Sequence, residues 1–255
     1  MKQLVFVFTF LISTTSISLA CEDRYIVTDF DDTIKTYGKD GEFFRIGNAI
    51  FGRKINSGMD YLLKEISEEC DSRQGLTVLT ASPKIISPSI RRLLSKNDIY
   101  NYELITRPLN EKTLEYKISR VNQVSIAKDK PLILVGDDTS KDPDAYYHFA
   151  QKNPQHHLAT YIHNVRNRPT LDGQINYITS YEVAIHEYNA GRINERDALT
   201  VGLLILSSAE YGIVPRYGHC PLVYDLPTTS SEELQQISRQ VTKKVESICK
   251  TRKLK

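Results

Sequence analysis

The sequence carries no excess of charge of either sign: 33 basic residues stand against 31 acidic ones, a formal net charge of +2. A field strong enough to hold nucleic acid is therefore not expected. No CxxC or Cys/His spacing suited to zinc is present, and the six histidines include no helical ligand pair. GxSxG, HExxH and GxxxxGK[ST] are absent as well, which excludes serine hydrolase, zincin and P-loop chemistry. Internal repeats and low-complexity tracts are missing. A membrane span needs about 20 apolar residues, and the N-terminal apolar run is interrupted by Thr9, Ser13, Thr14 and Thr15. What remains is a chain of 255 residues, 40% hydrophobic, long enough for one sizeable α/β domain plus an appendage.

Residues 1–20 combine a basic start at Lys2, an apolar stretch from Leu4 to Ile12 and the small-x-small ending Ser18-Leu19-Ala20. That is the pattern of a removed signal peptide, so the expected location is periplasmic or secreted. Lipidation of Cys21 is the lesser reading, because Ser18 stands where a lipobox has an aliphatic residue. In an exported protein the four cysteines form a candidate disulfide set with three connectivities. Cys21 lies just before the first expected strand, and Cys70 closes the helix that returns the chain to the second. Both should lie at one edge of the sheet, which pairs Cys21 with Cys70 and leaves Cys220 with Cys249.

Short apolar runs at Tyr25–Thr28, Leu76–Thr80, Glu103–Thr106, Leu132–Val135, Leu158–Ile162 and Ile175–Ile178 predict strands. Between them, Gly58–Glu69, Pro88–Lys96, Lys112–Ser125, Asp142–Gln151 and Tyr181–Ala190 predict helices. The alternation implies an α/β, Rossmann-like parallel sheet with helices on both faces over residues 21–190, with ligands at the carboxyl ends of its strands. Residues 191–255 predict a C-terminal helical extension: an apolar helix around Ala198–Leu206, a Pro/Gly/Tyr-rich loop from Tyr211 to Pro227, and a last helix from Ser231. In that helix Leu234, Ile237, Val241, Val245 and Ile248 form one apolar stripe. The stripe is expected to pack on the domain rather than on lipid. Lys250, Arg252, Lys253 and Lys255 add only a weak peripheral attraction to a membrane.

Two acidic clusters end strands. The first strand runs into Asp29-Phe-Asp31-Asp32-Thr33, a DxDxT pattern, and the fourth into Gly136-Asp137-Asp138-Thr-Ser-Lys-Asp142, a GDxxxxD pattern. Parallel strands bring both clusters into one small volume, where the carboxylates cannot all ionise without a cation between them. An oxygen-liganded divalent ion, Mg²⁺, meets that need and suits phosphate chemistry. Thr80 and Ser82 place hydroxyls just past the second strand, and Lys117 precedes the fourth, with Lys112, Lys128 and Lys130 as competitors for its role.

Asp, hydroxyl, Lys and paired Asp in this order resemble the four motifs of the haloacid dehalogenase superfamily. The stretches Asp29–Lys35, Asn48–Met59, Ala81–Pro83, Ile90–Leu94, Gly136–Tyr146 and Ala159–Val165 are similar to the catalytic domain of the actin-patch phosphatidate phosphatase family, a likeness extending over about residues 24–190. Two departures stand out: Gly136-Asp137-Asp138-Thr139 where the family has Gly-Asp-Ser-Gly, and Thr80-Ala81-Ser82-Pro83 where it has Ser-Asn-Ser-Pro. The resemblance implies that Asp29 is the nucleophile, Asp31 the acid and then the base, and that Thr80, Ser82 and Lys117 hold the phosphate. It also implies Mg²⁺ bound by Asp29, the Asp31 carbonyl and Asp137, with Asp138 or Asp142 supporting. The substrate it implies is a phosphorylated lipid such as phosphatidate. A small soluble phosphomonoester is the rival within the class, and a non-catalytic exported binding protein on the same scaffold is the rival outside it. Peptide mapping of the mature protein without reduction is expected to recover both Cys21–Cys70 and Cys220–Cys249; free thiols, or a lipid on Cys21, would contradict the pairing.

Overall fold

The computed structural model describes residues 24–36, 55–68, 75–215, 218–221 and 223–253. The leader at 1–20 and the Cys21–Cys70 pairing lie outside the described residues.

Six strands, β1 (Tyr25–Thr28), β2 (Leu76–Pro83), β3 (Tyr102–Arg107), β4 (Leu132–Asp137), β5 (His157–His163) and β6 (Ile175–Tyr177), form one sheet. Every neighbouring pair is parallel, and the order is β3-β2-β1-β4-β5-β6. This is the α/β Rossmann-like architecture, in the doubly wound strand order whose direction of growth reverses between β1 and β4. The helices are α1 (Met59–Glu68), α2 (Ser87–Lys96), α3 (Thr113–Lys128), α4 (Asp142–Lys152), α5 (Ser180–Asn189), α6 (Glu195–Ser207), α7 (Glu210–Ile213) and α8 (Glu232–Lys253). The short α7 interrupts the stretch from Tyr211 that the sequence presents as loop.

β1 is buried along its whole length, as a central strand must be. Its side chains alternate between two cores: Ile26 joins one, Tyr25 and Val27 the other. The smaller core is closed by Tyr116, Val121 and Val124 of α3 and by Ala145, Tyr146 and Phe149 of α4. The larger one is closed by α1, α2 and α5 and continues outward through α6 to α8. The C-terminal stripe lies inside that core, with Leu234, Val241 and Val245 fully buried.

Polar contacts hold α8 in place. Tyr181 donates its hydroxyl to the Leu234 carbonyl at 3.0 Å, and Lys244 Nζ donates to the carbonyls of Leu206 and Ser208 at 2.6 and 2.8 Å. Arg252 of the basic tail pairs with Glu210 at 3.0 Å. Cys220 and Cys249 are joined as a disulfide, which is consistent with an oxidising compartment. Among the described residues no helix is long and apolar enough to cross a membrane.

Gly202 of α6 marks how closely these helices approach. A Cβ there would sit 2.4 Å from Ile237 Cγ2 and 2.8 Å from Tyr181 Cε2. Gly202→Ala is therefore expected to lower the unfolding free energy by about 1–3 kcal/mol, against alanine's higher helix propensity. Urea unfolding reads this directly, and unchanged or raised stability would show that α5, α6 and α8 are not in close contact.

Candidate active site

The sheet itself positions Asp29. Its N–H donates to the Val135 carbonyl at 2.8 Å, extending the β1–β4 ladder one residue past Thr28. The chain then turns tightly: the N–H groups of Ile34 and Lys35 both donate to the Phe30 carbonyl, at 3.1 and 2.9 Å. Asp32 takes up the turn with φ of 61°, a left-handed conformation that aspartate tolerates better than most residues. Two buried side chains brace it. Asn56 Nδ2 donates to the Thr33 carbonyl at 2.6 Å, and His163 Nδ1 lies 2.6 Å from the Asp32 carbonyl. A carbonyl only accepts, so Nδ1 carries the proton. Burial lowers the pKa of His163 and favours this neutral form, and the ring stacks on Tyr177 at 5.1 Å.

Two hydroxyls lie near the carboxyl end of β2, within the strand rather than just past it. Ser82 Oγ donates to Asp31 Oδ2 at 2.7 Å, while Thr80 Oγ1 accepts the Ser82 N–H at 3.0 Å. Thr80 thus shapes the strand end, and Ser82 orients Asp31. Of the competing lysines it is Lys117 that reaches the centre, fully buried on α3. Its Nζ donates to Asp29 Oδ1 at 2.8 Å and to Asp142 Oδ1. Lys128 instead lies over the Tyr25 ring and pairs with Glu103 at 3.4 Å, and Lys112 is exposed.

β4 supplies the second acidic cluster. Gly136 is required there, because a Cβ would fall 2.6 Å from Asp142 Cβ and 2.8 Å from Tyr146 Cε2. Its absence lets the first turn of α4 close over the strand and brings Asp142 inward. Oxygens of Asp29, Asp137 and Asp142 lie within 4.8 Å of one another, a group able to hold a metal ion. The sequence left Asp138 and Asp142 as alternatives for the supporting acid, and the structure separates them. Asp138 Oδ1 accepts the N–H groups of Val165 and Arg166 at 2.9 and 2.8 Å, and its Oδ2 accepts those of Arg166 and Arg168, both at 3.0 Å. Its carboxylate thereby ties down the loop after β5.

Electrostatics favour a cation at the centre. Three buried carboxylates, Asp29, Asp137 and Asp142, face the single ammonium of Lys117, so full ionisation leaves the cluster two positive charges short. Burial raises the pKa of Asp29 well above its usual value, Lys117 opposes this, and Asp142 and Asp31 push it higher still. Asp137 is raised by burial and then by Asp142 and Asp29. For Lys117 burial works against the charge, but Asp142 and Asp29 outweigh it and its pKa rises. Among the described residues, Asp137 Oδ2 and Asp31 Oδ1 are buried and accept no hydrogen bond. A hard divalent cation fits both the charge deficit and this all-oxygen donor set.

Asp29, Asp31, Asp137 and Lys117 line a cleft of about 710 Å³, whose lining also takes in the apolar Ala81, Pro83 and Leu114 and the cationic Lys112, Lys141 and Arg168. Sequence reasoning missed Asn56, His163 and Arg168. The first two fall within stretches noted for their likeness, Asn48–Met59 and Ala159–Val165, whereas Arg168 carries no local signal.

One carboxylate held by a buried ammonium, beside a divalent-sized deficit of positive charge at the switch point of a doubly wound sheet, is an arrangement able to hold a metal ion. In class the protein is a phosphatase on a parallel α/β scaffold. It belongs to the family described as phosphatidate phosphatase APP1, catalytic domain, which it matches over residues 24–164, more than half of its length. The match ends just after β5, short of the residue 190 to which the likeness was traced in the sequence. Comparisons with curated proteins and with solved structures gave no match.

Asp137 and Asp138 are expected to respond differently to substitution. Without a cation, the raised pKa values of Asp29 and Asp137 mean that the folded state holds more protons than the unfolded one, so stability falls as pH rises above the usual 3.8. Mg²⁺ is expected to flatten that fall and to raise the melting temperature at neutral pH. Asp137→Asn should abolish the response. Asp138→Asn should keep it while losing about 2–3 kcal/mol from weakened loop hydrogen bonds. Melting curves with Mg²⁺ or chelator at several pH values check both outcomes.

Proposed function

We propose that this protein is a Mg²⁺-dependent phosphatase of the haloacid dehalogenase type, hydrolysing a lipid phosphate monoester such as phosphatidate through a phosphoryl group carried on Asp29. The observation that carries the reading is the placement of Asp29 at the switch point, paired with Lys117 at 2.8 Å and grouped with Asp137 and Asp142. The family description supports the lipid substrate. An exported location is supported by the leader pattern and by the Cys220–Cys249 disulfide.

Asp29, Asp137 and Asp142 would hold the Mg²⁺, which when bound supplies positive charge to the phosphoryl oxygens and keeps the neighbouring carboxylates ionised. The Asp29 carboxylate attacks phosphorus in line, the bond from phosphorus to the alcohol oxygen breaks, and Asp31 protonates the departing oxygen. Asp31 then takes a proton from a water molecule whose oxygen attacks the acyl phosphate, releasing inorganic phosphate and restoring Asp29. Ser82 holds Asp31 in place for both transfers, at 2.7 Å. Lys117 orients Asp29 and meets the charge of the transferring group. Thr80, whose hydroxyl accepts the Ser82 N–H, serves the phosphate site by fixing the carboxyl end of β2.

Asp29→Asn is expected to abolish phosphate release, by about 10⁴-fold or more, and to trap no phosphate. Asp31→Asn should still trap phosphate slowly from an aryl ester, whose leaving group needs no acid. Rapid-quench labelling separates these outcomes, and equal, complete loss at the trapping step would argue against distinct roles. Full turnover in excess chelator would overturn the metal assignment.

A further inference from the structure

Ile85 and Leu109 are 85% and 83% exposed, unusual for large aliphatic side chains. Ile126, at 82%, lies near the end of α3, at the edge of the sheet remote from the site. Ile85 and Leu109, by contrast, stand at the active-site edge on adjoining segments. β2 and β3 pair up to Pro83 and Arg107, and each apolar tip lies two residues beyond its member of that pair. Arg107 ties the segments together, donating to the Ala81 carbonyl at 3.0 Å and to the Glu111 carbonyl at 2.5 Å. The tips therefore rise from a braced platform, and Pro83 and Leu114 on the cleft wall continue the apolar surface inward.

Cations accompany this pair and line the cleft beside it. Lys84 is exposed between Pro83 and Ile85, and Lys112, Lys141 and Arg168 ring the cleft mouth. The acidic neighbours Glu115 and Asp144 meet Lys112 and Lys141 only across exposed pairs of 3.6 and 3.7 Å. Pairs of that kind contribute little and exchange readily for other anions. Glu111 is already engaged by Arg120 at 3.4 Å.

We propose that this rim docks on an anionic bilayer, with Ile85 and Leu109 entering the boundary between headgroups and acyl chains, Lys84, Lys112, Lys141 and Arg168 meeting the headgroups, and the cleft opening onto the lipid surface. The inference rests on the reading of the substrate as a lipid phosphate. A cleft of about 710 Å³ accommodates a drug-sized group, so a headgroup enters it while two long acyl chains stay in the bilayer. Apolar insertion and electrostatic attraction are each weak alone, and together they give stable, reversible binding.

The test is sedimentation of the full mature chain with phosphatidylcholine vesicles, with and without phosphatidylserine, whose phosphodiester headgroup is not a substrate for monoester hydrolysis. Binding is expected on the anionic vesicles and should weaken with salt. Ile85→Asp/Leu109→Asp should bind at least about tenfold more weakly, with the melting temperature and hydrolysis of a soluble aryl phosphate unchanged. Lys84→Ala should bind about fivefold more weakly, and it serves as the test should the double variant lose stability. Absence of wild-type binding to anionic vesicles, or parental binding by both variants, would overturn the proposal. So would a loss of self-association in the double variant with vesicle binding intact, since the rim would then be an interface between copies of the chain. Vesicle binding as expected, with no hydrolysis of phosphatidate in mixed micelles, would sink the substrate reading and leave the docking surface standing.

Discussion

The ion pairs of Lys117 organise the centre of this protein. A fully buried ammonium lies between Asp29 and Asp142, groups delivered by β1 and by the first turn of α4. A buried charge is tolerated only when paired, and removing one partner is far costlier than never having had the pair. Lys117 therefore fixes α3 against the carboxyl ends of two central strands. Its single charge still leaves the carboxylates short of two, and that shortage makes the site receptive to a divalent cation and to the oxygens of a phosphoryl group.

The sheet makes this concentration of acid possible. Reversal of the strand order between β1 and β4 opens a crevice where Asp29 and Asp137 meet without any loop of their own having to fold first. Gly136 then lets α4 approach closely enough for Asp142 to join them. Around this core the polar residues act as braces: Asn56 and His163 hold the turn after β1, and Asp138 holds the loop after β5. Arg168 belongs to that last loop and lines the cleft. A carboxylate with no place in the acidic cluster thus positions a cation at the mouth.

The lining of the cleft is mixed in character: Ala81, Pro83 and Leu114 are apolar, and Lys112, Lys141 and Arg168 are cationic. The C-terminal helix, although amphipathic and basic at its end, has its apolar stripe inside the larger core, and Arg252 is engaged with Glu210 and nearby carbonyls.

Strand and helix positions were legible in the sequence because they rest on local periodicity, and the acidic motifs were legible because each directly follows an apolar strand. The strand alternation also carried the parallel sheet and the meeting of the two acidic clusters. What the sequence by itself could not determine depends on distances between residues far apart in the chain. Asp138 and Asp142 sit four positions apart in one motif, and only the packing of α4 and the β5–β6 loop decides that one enters the cluster and the other accepts backbone amides. Lys117 was one of four lysines until α3 was laid across the sheet. Ser82 turned toward Asp31 and the exposure of Ile85 beside Leu109 follow from the way β2 and β3 end together. Periodicity and motif thus determined which elements form and where the acids lie along the chain; tertiary packing decided which of those acids face one another and which surface is left for a partner, because burial and charge proximity are properties of space rather than of sequence.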